Sequence, residues 1–187
     1  MLDSPEALSS WLKARRRQNN LQLNLMSTMF DLEGALDAGQ LGLAWVSQEA
    51  LLTTGCTLHA LQRGLSVPEG SDEVEVTVAA LEVLAAVDAA AADKAWQLWL
   101  RPAPGLGELA AEVARTVGFL SSELGLPAAT RAQAIQAWAD GVDTMRRVAA
   151  VIGLAQSDDW YLPSGSSPEG QGWYESVRAS LAKDEDA

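Results

Sequence analysis

Apolar residues recur at helical spacing along most of the chain, and short polar or glycine-containing breaks separate the runs. Ser4-Pro5-Glu6 combines an N-cap residue, a proline at the first helical position and an acid in the first turn. This start predicts a helix that runs to Ala38 and ends at Gly39. The same periodicity predicts four further main helices, over residues 41–63, 73–100, 106–124 and 127–155.

These patterns predict an all-α fold, an up-and-down bundle of about five main helices followed by a short C-terminal helix over residues 172–182. The alternation of Val74, Val76 and Val78 resembles a strand, but the helical register continues without a turn, and an isolated strand would leave its backbone unpaired. We divide the chain into a helical bundle over 1–155 and a terminal segment over 156–187. The terminal segment contains an aromatic-anchored loop and the last helix. We expect the first two helices to pack as an antiparallel hairpin because few residues separate them.

Composition limits the chemistry that the chain can perform. Its one cysteine, Cys56, and its one histidine, His59, exclude a disulfide framework and the usual paired-ligand metal motifs. We therefore expect no cofactor and no metal.

A formal net charge of −12 disfavours nucleic acid and anionic membrane surfaces as partners. No uncharged apolar run reaches the roughly 18 residues of a membrane span and no signal peptide is recognisable, so the expected location is cytoplasmic.

The second helix carries the strongest candidate site. Six of its residues follow one another at intervals of three or four and therefore lie on one helix face: Trp45, Glu49, Leu52, Cys56, His59 and Arg63. Glu49 and His59 could face a cavity and serve in acid–base catalysis or ligand recognition. They are ten residues apart, about 15 Å along the helix axis, so they would act at two ends of one elongated pocket. Alternatively, His59 lies at a solvated helix end and Glu49 pairs with an arginine.

Further polar residues interrupt apolar stripes. Glu33 and Asp88 do so in the first and third helices, and with Glu49 they could form a carboxylate pocket for a cationic ligand, or they could be isolated boundary residues. The candidate catalytic residues are Glu49, His59 and Asp88, with no assigned role. The candidate ligand-binding residues are Glu33, Trp45, Glu49, His59, Trp138 and Trp160. Trp45 and Trp138 have core spacing, whereas Trp160 and Trp173 flank the loop and could cover a pocket.

Residues 29–40, MFDLEGALDAGQ, and 44–50, AWVSQEA, resemble the helix hairpin of HEPN-type bundles and of the helical C-terminal domain of kanamycin-type nucleotidyltransferases. The ribonucleases of that superfamily carry an Arg-to-His motif on a late helix. Here no histidine follows Arg146 and Arg147, so nuclease activity does not carry over. The strands and paired aspartates of the nucleotidyltransferase catalytic domain are not found either. The resemblance implies a bundle that pairs with itself or with a partner and binds a small molecule or nucleotide between helices.

Two functional hypotheses follow. The first is a small-molecule-binding bundle, an accessory protein or a noncanonical cofactor-free enzyme of bacterial specialised metabolism. The second is a protein–protein interaction module of the antitoxin or adaptor kind. A homodimer is expected because Trp96 and Trp99 have no obvious place in the core. The basic cluster over residues 13–17 could bind an anion or dock on an acidic patch of a second copy.

Overall fold

A computed structural model describes residues 4–67, 73–101, 105, 107–151 and, singly, 172, 175 and 179. These residues contain helices and no strand, so the predicted all-α helical bundle is confirmed. The elements are α1 (Pro5–Asp37), α2 (Leu41–Gln62), α3 (Glu73–Ala85), α4 (Ala89–Trp99), α5 (Leu109–Gly118), a π-helical segment π1 (Phe119–Glu123) and α6 (Arg131–Val151). No helix in the described part of the chain is long and apolar enough to cross a membrane.

The first two helices begin and end within a residue of their predicted bounds. At the start of α1, the Ser4 hydroxyl accepts a hydrogen bond from the Ala7 amide at 3.2 Å. Both helices end at a glycine with positive φ, Gly39 at 66° and Gly64 at 76°. After each glycine, the next amide returns to a carbonyl five residues earlier, at 2.8 Å for Gln40 and 3.0 Å for Leu65. These local signals terminate a helix independently of the surrounding fold.

The third predicted helix is instead two helices, α3 and α4, separated after Ala85. Asp88 begins α4, where its Oδ1 accepts a hydrogen bond from the Ala91 amide at 3.0 Å. An aspartate at this position competes with the helical backbone for amide hydrogens, and it therefore favours a cap over a helix interior. The prediction of one helix over residues 73–100 was wrong for this reason.

The last two predicted helices also differ in their bounds. α5 begins at Leu109 and passes directly into π1. α6 begins at Arg131. Just before it, the Thr130 hydroxyl accepts a hydrogen bond from the Gln133 amide at 3.3 Å. The predicted boundary at residue 155, the loop with Trp160 and Trp173, and most of the C-terminal helix lie outside the described residues. Within that last helix, residues 172, 175 and 179 are described and are helical.

The chain separates into two compact units, one formed by Met1–Asn19 with Ala139–Ala187 and the other by Asn20–Trp138. In the first unit, Leu12 is buried, and the Arg15 guanidinium lies over the Trp11 ring at 5.5 Å from its centroid. The second unit contains α2 to π1 and nearly all of the core.

Helix α2 is the central element of the second unit. It packs against α3, α4, α5 and π1. Every residue from Gly55 to Leu61 is buried, so this half of α2 is enclosed on all sides. The sequence predicted one buried face for α2, whereas this half of the helix is buried on every face. Gly55 permits the close approach of α2 to π1, since a Cβ at this position would lie 2.5 Å from Leu120 Cδ2.

Candidate ligand-binding groove

A groove with a cavity volume of about 470 Å³ opens between α2, α3 and the end of α4. Its lining consists of Val46, Glu49, Ala50, Thr53, Thr54, Val74, Val76, Thr77, Trp99 and Leu100. The volume falls within the range of roughly 300–1,000 Å³ that is typical of small-molecule sites. This groove is the candidate functional site.

Helical spacing explains why these residues share one wall. Along α2, Glu49 and Ala50 lie three and four residues after Val46, and Thr53 lies four and three residues after them, which places all four on one face. The short break between α3 and α4 then brings the end of α4 to the same groove, where Trp99 lies. The break at Asp88 is therefore part of the construction of the site.

Two threonine hydroxyls hold the polar side of the groove together. The oxygens of Thr53 and Thr77 lie 2.7 Å apart and connect α2 to α3. The Thr53 hydroxyl also donates to the backbone carbonyl of Glu49 at 3.1 Å. Either hydroxyl can be the donor in the hydrogen bond between the two threonines. The Thr53 side chain is thereby fixed in position at the groove wall.

The opposite side of the groove is apolar and open. Trp99 packs against Trp96 with ring centroids 5.4 Å apart and an interplanar angle of 53°, and both rings pack against the core. The two tryptophans thus have an intramolecular place that the sequence did not indicate. At the rim, Val46, Val74 and Leu100 are 56%, 57% and 68% exposed. A ligand with an apolar body could cover these three side chains.

Glu49 gives the groove its charge. It is partly buried, and among the described residues that line the groove it is the one ionisable group. The side chains around it are aliphatic, aromatic or threonine. Glu49 thus contributes a carboxylate to a lining whose other described side chains are uncharged.

His59 lies outside this groove. Its ring is buried, and Nδ1 donates to the backbone carbonyl of Leu124, just beyond π1, at 2.8 Å. Burial and the nearby Arg63 lower the pKa of His59, more than the Leu124 bond and Asp88 raise it. The neutral imidazole therefore carries its proton on Nδ1 and attaches the end of π1 to α2. Glu49 lines this groove and His59 does not, and His59 is buried rather than at a solvated helix end.

The three candidate carboxylates also remain apart. The side chain of Glu33 is 50% exposed and pairs with Arg131 at 3.2 Å. Asp88 is the cap of α4, and Glu49 lines the groove. No group of three or more metal-ligating side chains occurs within the described residues. Separate positions avoid the repulsion that three like charges would have in one low-dielectric pocket.

The remaining candidates lie elsewhere. Trp45 is partly buried against the core, and Trp138 is partly buried in α6. Neither residue lines the groove. Burial raises the pKa of the Cys56 thiol to about 12, which makes it a packing residue without a reactive thiolate.

Sequence reasoning missed two arrangements. One is the groove itself, whose Thr53 and Thr77 are 24 residues apart and carry no recognisable motif. The other is the ion-pair cluster of Glu112, which accepts from Arg101 at 2.6 Å and from Arg115. The spacing of Glu112 and Arg115 by three residues is a helical ion-pair signal that could have indicated half of this cluster.

Comparison of the chain with protein families, with curated proteins and with solved structures gives no match. The resemblance of residues 29–50 to HEPN-type bundles stays a prediction. The geometry of the groove is therefore the basis on which function can be argued.

Proposed function

We propose that this protein binds a small organic molecule in the groove between α2, α3 and the end of α4. The observation that carries the proposal is a cavity of about 470 Å³ with apolar walls and a few fixed polar groups. Small-molecule sites commonly have this composition, because the apolar surface supplies affinity and the polar groups fix orientation.

The apolar body of such a ligand would lie against Trp99 and the exposed rim. Each Å² of apolar surface that leaves water contributes about 25 cal/mol, so covering Val46, Val74 and Leu100 favours binding. The polar end would lie near Glu49 and the threonine hydroxyls. The second unit holds this wall on helices that are packed into the core, so little ordering is needed on binding.

The test is a substitution that fills the groove. Ala50→Trp places a large ring in the cavity, whereas Ala110→Trp adds the same ring at an exposed position of α5. Thermal unfolding is measured with a panel of apolar amines, alcohols and acids. A true ligand at 100 times its Kd adds roughly 2.7 kcal/mol of stability. We expect this stabilisation in the wild type and in Ala110→Trp and its loss in Ala50→Trp. A panel without any ligand that depends on Ala50 refutes the proposal.

The exposed rim also supports a second candidate, a protein–protein interaction module. Val46, Val74 and Leu100 form part of an apolar surface that a partner could cover. Binding of a partner protein that is lost in Val46→Ser and Leu100→Ser, together with no response to the ligand panel, would favour this candidate. Cytoplasmic location and a role in specialised metabolism stay predictions from the sequence.

A further inference from the structure

We propose that the groove selects molecules that carry an aromatic ring over molecules that carry a saturated ring of the same size. This inference rests on the proposed function and specifies its ligand class. It follows from two features of the groove: an aromatic side chain that is held in place in the wall, and a wall that narrows between α2 and α3.

The first feature is the ring of Trp99. It is the one aromatic side chain among the described residues that line the groove. Aromatic rings attract each other in offset-stacked or edge-to-face arrangements, and this attraction adds to the free energy that burial of their apolar surface supplies. A ligand ring in contact with Trp99 therefore binds more tightly than a saturated ring that buries the same area.

The Trp99 ring is already positioned in the unliganded groove. Trp96 lies three residues earlier on α4, and its ring centroid is 5.4 Å from that of Trp99 at an interplanar angle of 53°. Both rings also pack against the core. A side chain held in this way loses little rotamer freedom on binding, so most of the attraction between the rings contributes to affinity.

The second feature is the shape of the wall. Thr53 of α2 and Thr77 of α3 both line the groove, and their hydroxyl oxygens lie 2.7 Å apart. The two helices therefore meet at this contact, and the groove narrows towards it. A flat ring can enter a narrowing groove further than a puckered saturated ring, because all its carbon atoms lie in one plane and can contact both walls. Neither feature depends on charge, so neutral probes can test both.

The test compares two neutral probes that differ only in their ring, phenylbutanol and cyclohexylbutanol. The cyclohexyl probe has slightly more apolar surface, so burial alone would favour it. Titration of the isotope-labelled full chain, followed by NMR at the tryptophan indole N–H signals, gives both Kd values. The signal that is missing in Trp99→Phe identifies Trp99. We expect the phenyl probe to bind about fivefold more tightly than the cyclohexyl probe and to shift the Trp99 signal.

Three variants show whether Trp99 is the source of this preference. Trp99→Leu keeps an apolar side chain without a ring, so it should reduce the preference to about twofold or less, the part that is due to shape. Trp99→Phe keeps a ring and should keep the preference. Trp11→Leu, in α1 and outside the described lining of the groove, is the matched control and should leave both Kd values unchanged.

The outcomes separate this inference from the function on which it rests. Equal affinity for the two probes, tighter binding of the cyclohexyl probe, or an undiminished preference in Trp99→Leu overturns the ring selection. If Ala50→Trp still abolishes binding in that case, the groove remains a ligand site. If neither probe binds, the inference is also overturned, and the broader panel then decides whether the groove binds any ligand. Circular dichroism of each variant confirms that it is folded, and the comparison of the two probes in the wild type requires no variant.

Discussion

The contact between Gly55 of α2 and Leu120 of π1 offers a direct test of how the core is packed. A Cβ at Gly55 would lie 2.5 Å from Leu120 Cδ2, 3.1 Å from Cδ1 and 3.3 Å from Cγ. Leu120 is fully buried, so its side chain has little room to move away. Gly34 of α1 is the matched control, because a Cβ there would have no atom within 4 Å.

The two alanine substitutions should have opposite signs. In a helix, Gly→Ala stabilises by about 0.5–1 kcal/mol through backbone entropy, and we expect this gain at Gly34. Gly55→Ala has the same gain but overpacks a closed core, which typically costs about 1–3 kcal/mol. The free energy of unfolding should therefore be lower in Gly55→Ala than in Gly34→Ala by about 1–3 kcal/mol.

Urea denaturation of the full chain measures both values. Adding Leu120→Val to Gly55→Ala should recover part of the loss, because the shorter side chain makes room for the new methyl group. If Gly55→Ala is as stable as Gly34→Ala, or if Leu120→Val adds its full cost in the alanine background, the close approach of π1 to α2 is refuted.

Four further predictions follow from the structure. The folded-state pKa of His59 lies below its ordinary value of 6.5, so the unfolded chain takes up a proton first as the pH falls. The stability of the wild type should therefore decrease below pH 6.5 relative to that of His59→Asn. Urea unfolding at several pH values measures this difference. An unchanged difference between the two proteins would exclude a buried, neutral histidine. Asp88→Ala should lower the free energy of unfolding by about 1 kcal/mol through loss of the α4 cap, and Asp88→Asn by less; equal losses would contradict the cap. Glu112→Gln should lower the free energy of unfolding by about 1–3 kcal/mol, because two half-exposed arginines lose their carboxylate partner. The loss should be smaller at high salt, which screens these ion pairs. Light scattering should report about twice the chain mass of 19.8 kDa if the exposed rim pairs two copies, and a mass of one chain at micromolar concentration would exclude this dimer.

Helix ends were predictable where the signal is local. Gly39 and Gly64 each supply a positive φ that other residues rarely adopt, and Ser4 supplies a cap, so α1 and α2 could be placed from sequence. Asp88 carries an equally local signal, but the alanine-rich residues on both sides favour one continuous helix. The cap and the helical propensity compete there, and the structure shows that the cap prevails.

The site was less predictable because it depends on contacts between helices. Glu49 could be singled out from its position on an apolar stripe, and it does line the groove. His59 shares that stripe, yet its partner is the Leu124 carbonyl, 65 residues away, which no spacing rule indicates. Thr53 and Thr77 likewise meet only because α2 packs against α3. Helical periodicity shows which face a residue occupies and does not show what lies opposite.

The unequal burial of α2 has a consequence for how this protein can diversify. Its groove-lining positions, such as Val46, Glu49 and Thr53, belong to the less enclosed half, whereas Gly55 to Leu61 are all buried. Replacements in the first set alter the chemistry of a surface, and replacements in the second disturb the interior. If the groove binds a ligand as proposed, substitutions at a few positions of α2 could therefore change its specificity without disturbing the buried half of the helix.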